Sequence, residues 1–158
     1  MKEMSRIVRT ITNFIYGFIM VYGFYVIVHG HLTPGGGFQG GAIVASAFAL
    51  LLVTYGNRGA ENYLRKDIFS LVESTGLVIF IAFAFFGLGV TFFYNFMANS
   101  GGLFGNSAVI GINPGDLNTG GTIPIMNMAV GLEVLAALGV IILTMAAGSE
   151  TTEKKENS

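Results

Sequence analysis

The sequence predicts an all-α membrane protein with four transmembrane helices and cytoplasmic N- and C-termini. Three observations carry this. The chain of 158 residues is 53% hydrophobic and only 11% charged, too apolar for an ordinary soluble domain. It contains the charge-free runs Ile11–Val28, Phe38–Tyr55 and Ser74–Phe93, and a fourth from Ile123 to Ala147 broken only by Glu133. All eight Lys and Arg residues fall on one side of these runs. Lys2, Arg6 and Arg9 precede the first, Arg58, Arg65 and Lys66 separate the second and third, and Lys154 and Lys155 follow the fourth. Cationic flanks are retained on the cytoplasmic side, so the asymmetry sets the orientation.

A hydrocarbon layer of about 30 Å needs about 20 helical residues. The first helix is expected over 7–28. Its basic start resembles a signal peptide, but its apolar run is too long and no small-x-small cleavage pattern ends it, so it reads as a retained span. Tyr22 and Tyr25 stand near its far end, where amphipathic rings favour the headgroup level. The breaker-rich segment from His29 to Gly41 then opens the second helix. Residues 56–67 read as a polar inner loop, and 68–93 as the third helix. Residues 94–122 are rich in Gly and Asn, carry Asp116 as their one charge, and lead to the fourth helix at 123–147. One transmembrane domain over 1–147 is expected, with a polar, disordered tail at 148–158.

Composition also excludes functions. The net charge of −1 predicts no nucleic-acid partner. With no Cys in the chain, cysteine-ligated clusters, thiolate catalysis and disulfides within it are ruled out. No cofactor is expected, and no metal site. His29 and His31 are too weak a ligand signal without further donors.

Glu133 is the most anomalous residue. It stands ten residues into the fourth helix, about 15 Å from its start and near the bilayer midplane. An ionisable group there costs at least about 2.5 kcal/mol and faces protein or water. Ala129, Ala136, Ala137 and Val140 share its face, small enough for close helix packing. Relay of a proton or cation is one reading; a neutral carboxyl bonded to a neighbouring helix is the other. Glu73 lies about one and a half turns into the third helix, on a face with Gly76, Phe80, Ala84 and Gly87. Its rival reading is snorkelling towards Lys66 or the inner surface. His31 is read either as a proton-accepting group at the membrane boundary or as an ordinary interfacial histidine. Asn13 and Asn127 are expected to bond neighbouring helices.

Gly35-x-Gly37-x-x-Gly40 has the form of a dinucleotide fingerprint, but it follows no strand and joins two membrane helices, so that reading fails. Pro34 stiffens the start of the second helix, and Gly36/Gly40 and Gly37/Gly41 form two overlapping small-xxx-small pairs. The segment either packs tightly against neighbours or lines an aqueous cavity with partly unwound backbone.

The run Gly30-His31-Leu32-Thr33-Pro34-Gly35-Gly36-Gly37-Phe38-Gln39-Gly40-Gly41 resembles the B-type subunits of Mrp-type (Mnh-type) sodium/proton antiporters. The run from Gly121 to Val134, with Pro124, Asn127, Gly131 and Glu133, resembles the same family, and the likeness spans all four helices. The resemblance implies an accessory subunit in a prokaryotic-type cell membrane, without a catalytic centre of its own. Implied partners are other membrane subunits, large and antiporter-like, with sodium ions or protons as the transported species. Homologous modules occur in membrane-bound hydrogenase-type respiratory complexes, where redox chemistry drives ion movement. The family motif falls on His31, the Pro34–Gly41 segment and Glu133. Two rival functions stand beside it. One is a self-sufficient homo-oligomeric transporter with Glu133 as its proton site. The other is a membrane enzyme, for which too few convergent polar groups are visible.

Overall fold

The structure is a computed structural model that describes residues 4–60, 65–108 and 116–156, without the side chains of 57–60 and 149–156. It is helical, with four elements long and apolar enough to cross a membrane: α1 (Arg6–His29), α2 (Gly36–Ala60), α3 (Lys66–Phe86) and α4 (Ile123–Glu156). Ser5 caps α1 by accepting from the Val8 amide at 3.5 Å, which satisfies one of the free donors of a helix start. Gly56, at φ 72° and ψ 172°, interrupts α2, so its membrane-length part is Gly36–Gly56.

The helices stand in the spatial order α1, α2, α4, α3, as a bent row. α2 and α4 pack on each other at the centre, α1 lies against α2 and the edge of α4, and α3 touches α4. Among the described residues α2 and α3 have no close backbone approach, although the Phe48 and Phe69 rings meet at 5.1 Å. The core follows that row: Ile27, Val44, Phe48, Leu52, Phe69, Leu135 and Ala136 are buried. α1 buries only Thr12, Gly23 and Ile27, and α3 only Phe69, Gly76 and Ala84. The rest of those two helices presents large apolar side chains such as Phe14, Phe18, Val21, Leu71 and Val78 outward, as lipid or a protein neighbour in lipid requires.

Two boundaries differ from the sequence reading. α3 stops at Phe86, not residue 93. Gly87 ends it because the chain folds back at once: a Cβ there would stand 2.5 Å from the Tyr94 amide nitrogen. Phe93, at φ 64°, donates its amide to the Ala84 carbonyl at 3.1 Å. At 21 residues the helix still measures about 31 Å. α4 passes 147 and continues to Glu156, through a stretch expected to be disordered. That stretch has no proline, and Glu150 precedes Lys154 by four residues, a spacing that favours helix.

The described parts of the connection, 87–108 and 116–122, are folded rather than a loose linker. Asn95 accepts from the Thr122 amide at 2.8 Å and donates to the Gly120 carbonyl at 2.9 Å. Asn118 accepts from the Phe104 amide at 2.6 Å. These side chains close a cap over the charge-poor end of the row, the end opposite Arg6, Arg65 and Lys66.

Candidate functional site

The glycine segment is where three helices meet. Gly35 and Gly36 have φ of 114° and 38°, the left-handed region that glycine enters without penalty. This backbone turns the chain from α1 into α2 within six residues, and α2 begins against the end of α1. The glycines meet different neighbours. Gly40 faces α1, where its Cβ would stand 2.9 Å from the Gly23 carbonyl oxygen, whereas a Cβ on Gly36 would collide with Asn127 Oδ1 of α4 and stand 3.1 Å from the carbonyl oxygen of Gly30, just past the end of α1. Gly37 and Gly41 face α4: a Cβ on Gly37 would collide with the Asn127 carbonyl, and one on Gly41 would stand 2.8 Å from that of Gly131. One helix start thus lies in backbone contact with two helices at once.

Asn127 locks this junction. Its Oδ1 accepts from the Gly37 amide at 2.5 Å, and its Nδ2 donates to the Ile27 carbonyl at 2.6 Å. A helix start has free N–H groups; this one carboxamide satisfies one of them and adds a short second bond to the Ile27 carbonyl, which also accepts from the Gly30 amide at 3.4 Å. The other expected polar contact forms too: the Tyr55 hydroxyl donates to Asn13 Oδ1 at 2.7 Å, between α2 and α1. Beside it the buried hydroxyls of Thr12 and Thr54 bond at 2.9 Å.

Pro34, Gly35, Phe38 and Gln39 stand on the exposed side of the junction. Gln39 folds back over Gly35, to which its amide donates at 3.4 Å. Gly30, Gly35, Gly36, Gly37 and Phe38 form one wall of an open cleft of about 490 Å³. Ile123, Met126, Asn127 and Val130 form its floor, and Phe80 of α3 its other wall. The segment therefore both packs and lines a cleft.

His31 lies away from the carboxyls, under the cap. Its ring meets the Phe104 ring edge-on at 6.4 Å, and both ring nitrogens are buried without a hydrogen-bond partner. Phe104 has φ 57°, a costly backbone for a bulky residue.

Glu133 and Glu73 are each half-buried on the α3–α4 seam. A Cβ on Gly76 would stand 3.0 Å from the Glu133 amide nitrogen and 3.2 Å from its Cβ, so α3 presses its glycine against the Glu133 turn. Glu73 is three residues before Gly76 on the same face of α3. Neither carboxylate has a hydrogen bond or ion pair among the described residues. No group of three His, Asp or Glu residues able to hold a metal occurs among those residues.

Sequence reasoning missed the way Asn95 and Asn118 fold the cap and the buried Thr12–Thr54 pair. Their only signal was composition: asparagine in a glycine-rich connection, and threonine inside two spans.

Four membrane-length helices with their polar contacts in the seams define a multi-pass α-helical membrane protein. The chain belongs to the family described as a domain related to the MnhB subunit of the Na+/H+ antiporter, whose pattern matches residues 7–140. An uncharacterized protein of Methanocaldococcus jannaschii is 31% identical over 144 residues, 89% of this chain and 52% of that protein. A Staphylococcus aureus (strain Newman) protein bearing the name antiporter subunit mnhB2 is 44% identical over 55 residues, 35% of this chain and 39% of that protein. The matched stretches thus span about half or less of these relatives.

Proposed function

We propose that this chain is an accessory subunit of a multi-subunit cation/proton antiporter, of the sodium/proton kind. It packs against large antiporter-like subunits through the open faces of α1 and α3, with both termini cytoplasmic. Glu133, assisted by Glu73, takes part in the ion path. The observation that carries this reading is the pair of membrane carboxylates on the α3–α4 seam, unpartnered among the described residues, in a chain of an antiporter-subunit family. Lipid satisfies no carboxyl, so a neighbouring subunit, water or an ion must. The family match supports reading the chain as part of a transport complex rather than an enzyme in its own right.

Purification of the tagged chain from its native membrane in mild detergent tests this. Co-purification with other polytopic subunits, and loss of cation/proton exchange in membranes lacking the chain, is the expected result. A transport-active homo-oligomer would overturn the accessory role.

A further inference from the structure

His31 and Phe104 meet where the cap rests on the end of α1. His31 follows that helix by two residues, in a turn fixed by the Leu32 amide, which donates to the His29 carbonyl at 3.0 Å. The Phe104 ring meets the imidazole edge-on at 6.4 Å, and a Cβ on Gly120 would stand 3.3 Å from its Cδ2. Phe104 is itself clamped on both sides. Its amide donates to Asn118 Oδ1 at 2.6 Å, and its carbonyl accepts from the Gly121 amide at 2.7 Å. These bonds hold it at φ 57°, a backbone that a bulky residue adopts only where its surroundings impose it.

Two unfavourable features therefore coincide: strained backbone at Phe104, and a His31 ring whose nitrogens are both buried without a partner. A neutral imidazole leaves one N–H and one lone pair unpaired there. A protonated ring leaves two donors and a charge, and burying an unpaired charge costs more than burying an unpaired polar group. The Phe104 ring is no substitute for an acceptor, being edge-on and beyond the roughly 6 Å at which a ring face holds a cation. The other titratable groups on the adjoining elements leave such a charge uncompensated. His29, at the end of α1, stacks on Tyr25 at 5.2 Å. Tyr94 and Asp116 are the titratable residues of the connection, and Asp116 Oδ1 accepts from the Asn118 amide at 2.9 Å. α4 has none before Glu133. None of these groups bonds the His31 ring.

We propose that the His31–Phe104 contact is a latch released by acid. With His31 neutral, Phe104 stays seated and the cap stays closed over the start of α4. When the charge-poor side turns acidic, His31 takes a proton from water and turns out to solvent, and Phe104 relaxes out of the left-handed region. The bonds from Phe104 to Asn118 and Gly121 open with it. Acidity is thereby passed to the turn that joins α1 to α2. The latch gives His31 a regulatory role separate from any ion path through Glu133, and it does not rest on the antiporter reading.

Hydrogen–deuterium exchange of the native complex in nanodiscs tests this. The amides of Phe104, Asn106, Gly121 and Thr122 are the reporters, because all four are bonded inside the cap. Protection is taken relative to the intrinsic rate at each pH. From about pH 8 to about pH 5, the range in which an ordinary imidazole changes charge, it is expected to fall about tenfold or more. In His31→Leu, or His31→Gln should the first fail to assemble, protection is expected to stay level. Phe104→Gly keeps the turn without strain but lacks the ring, and should also lose the pH dependence. Asp116→Asn should retain it, which separates His31 from the one carboxyl of the connection. Level protection in the parent, the same fall in the His31 or Phe104 variants, or loss of the fall in Asp116→Asn would overturn the proposal.

Discussion

The Asn127 side chain donates to the Ile27 carbonyl at 2.6 Å, across 100 residues of sequence, while its oxygen receives the Gly37 amide. One carboxamide thus fixes where α1 ends, where α2 begins and how both sit on α4. Replacing Asn127 with Leu removes both bonds, orphans the Gly37 amide and leaves the Ile27 carbonyl only its longer bond from the Gly30 amide, at 3.4 Å. Interhelical bonds in membranes average about 0.6 kcal/mol each, with a maximum near 1.7. A loss of about 1–2 kcal/mol is expected in reversible unfolding in detergent micelles. Asn127→Asp keeps the acceptor alone and should give an intermediate loss.

The glycine contacts should be separable by partner. Gly37→Leu drives a side chain into the α4 backbone, and Gly40→Leu into Ile27 and Gly23 of α1. Overpacking of this kind costs about 1–3 kcal/mol or more. Disulfide crosslinks engineered between α2 and α4 should weaken in the first variant and survive in the second; α1–α2 crosslinks should do the reverse. Gly17 has nothing within 4 Å of its would-be Cβ. Gly17→Ala should therefore be neutral or stabilising, by up to about 1 kcal/mol from helix propensity.

Thr12 and Thr54 are 3% and 1% exposed and bond each other through their hydroxyls. Removing one hydroxyl strands the other, whereas removing both leaves an apolar contact of the same shape. Thr54→Val alone should cost about 1 kcal/mol, and Thr12→Val with Thr54→Val less than that. A double-mutant cycle in thermal unfolding measures the coupling. Strict additivity would mean that the bond contributes nothing.

The orientation proposed from charge has its own check. Cysteines at Gly59 and Asn106 should label from opposite faces of the membrane, with Asn106 outside. Labelling of both by an impermeant maleimide on intact cells would contradict the assigned sides.

Much of the architecture was legible because membrane spans are selected by length and hydropathy, and the four runs have both. What was not legible depended on partners. The pairs Gly36/Gly40 and Gly37/Gly41 signalled tight packing, but a spacing of four does not say which helix arrives on which side. The end of α3 was hidden because the apolar run continues through Phe92 and Phe93 after Gly87 has turned the chain. Those phenylalanines fold back, and Phe93 rests on Phe80 at 5.9 Å. The cap was invisible because its folding comes from single asparagines bonding backbone far along the chain, which leaves no periodic trace. Glu133 was conspicuous from depth alone, yet only the structure placed Gly76 against its turn.

Coupled transport, as proposed, depends on Glu133 as an ionisable group. Glu133→Gln keeps shape and hydrogen-bonding capacity but cannot ionise, while Glu133→Leu removes both. The decisive measurement is cation/proton exchange per assembled complex for the two variants and the parent, across pH, in vesicles. Normal assembly of the Gln variant, with exchange reduced at least tenfold at every pH, is the predicted result. Exchange by the Gln variant equal to the parent, with only the Leu variant impaired through lost assembly, would contradict this role and leave Glu133 as a structural hydrogen-bonding group.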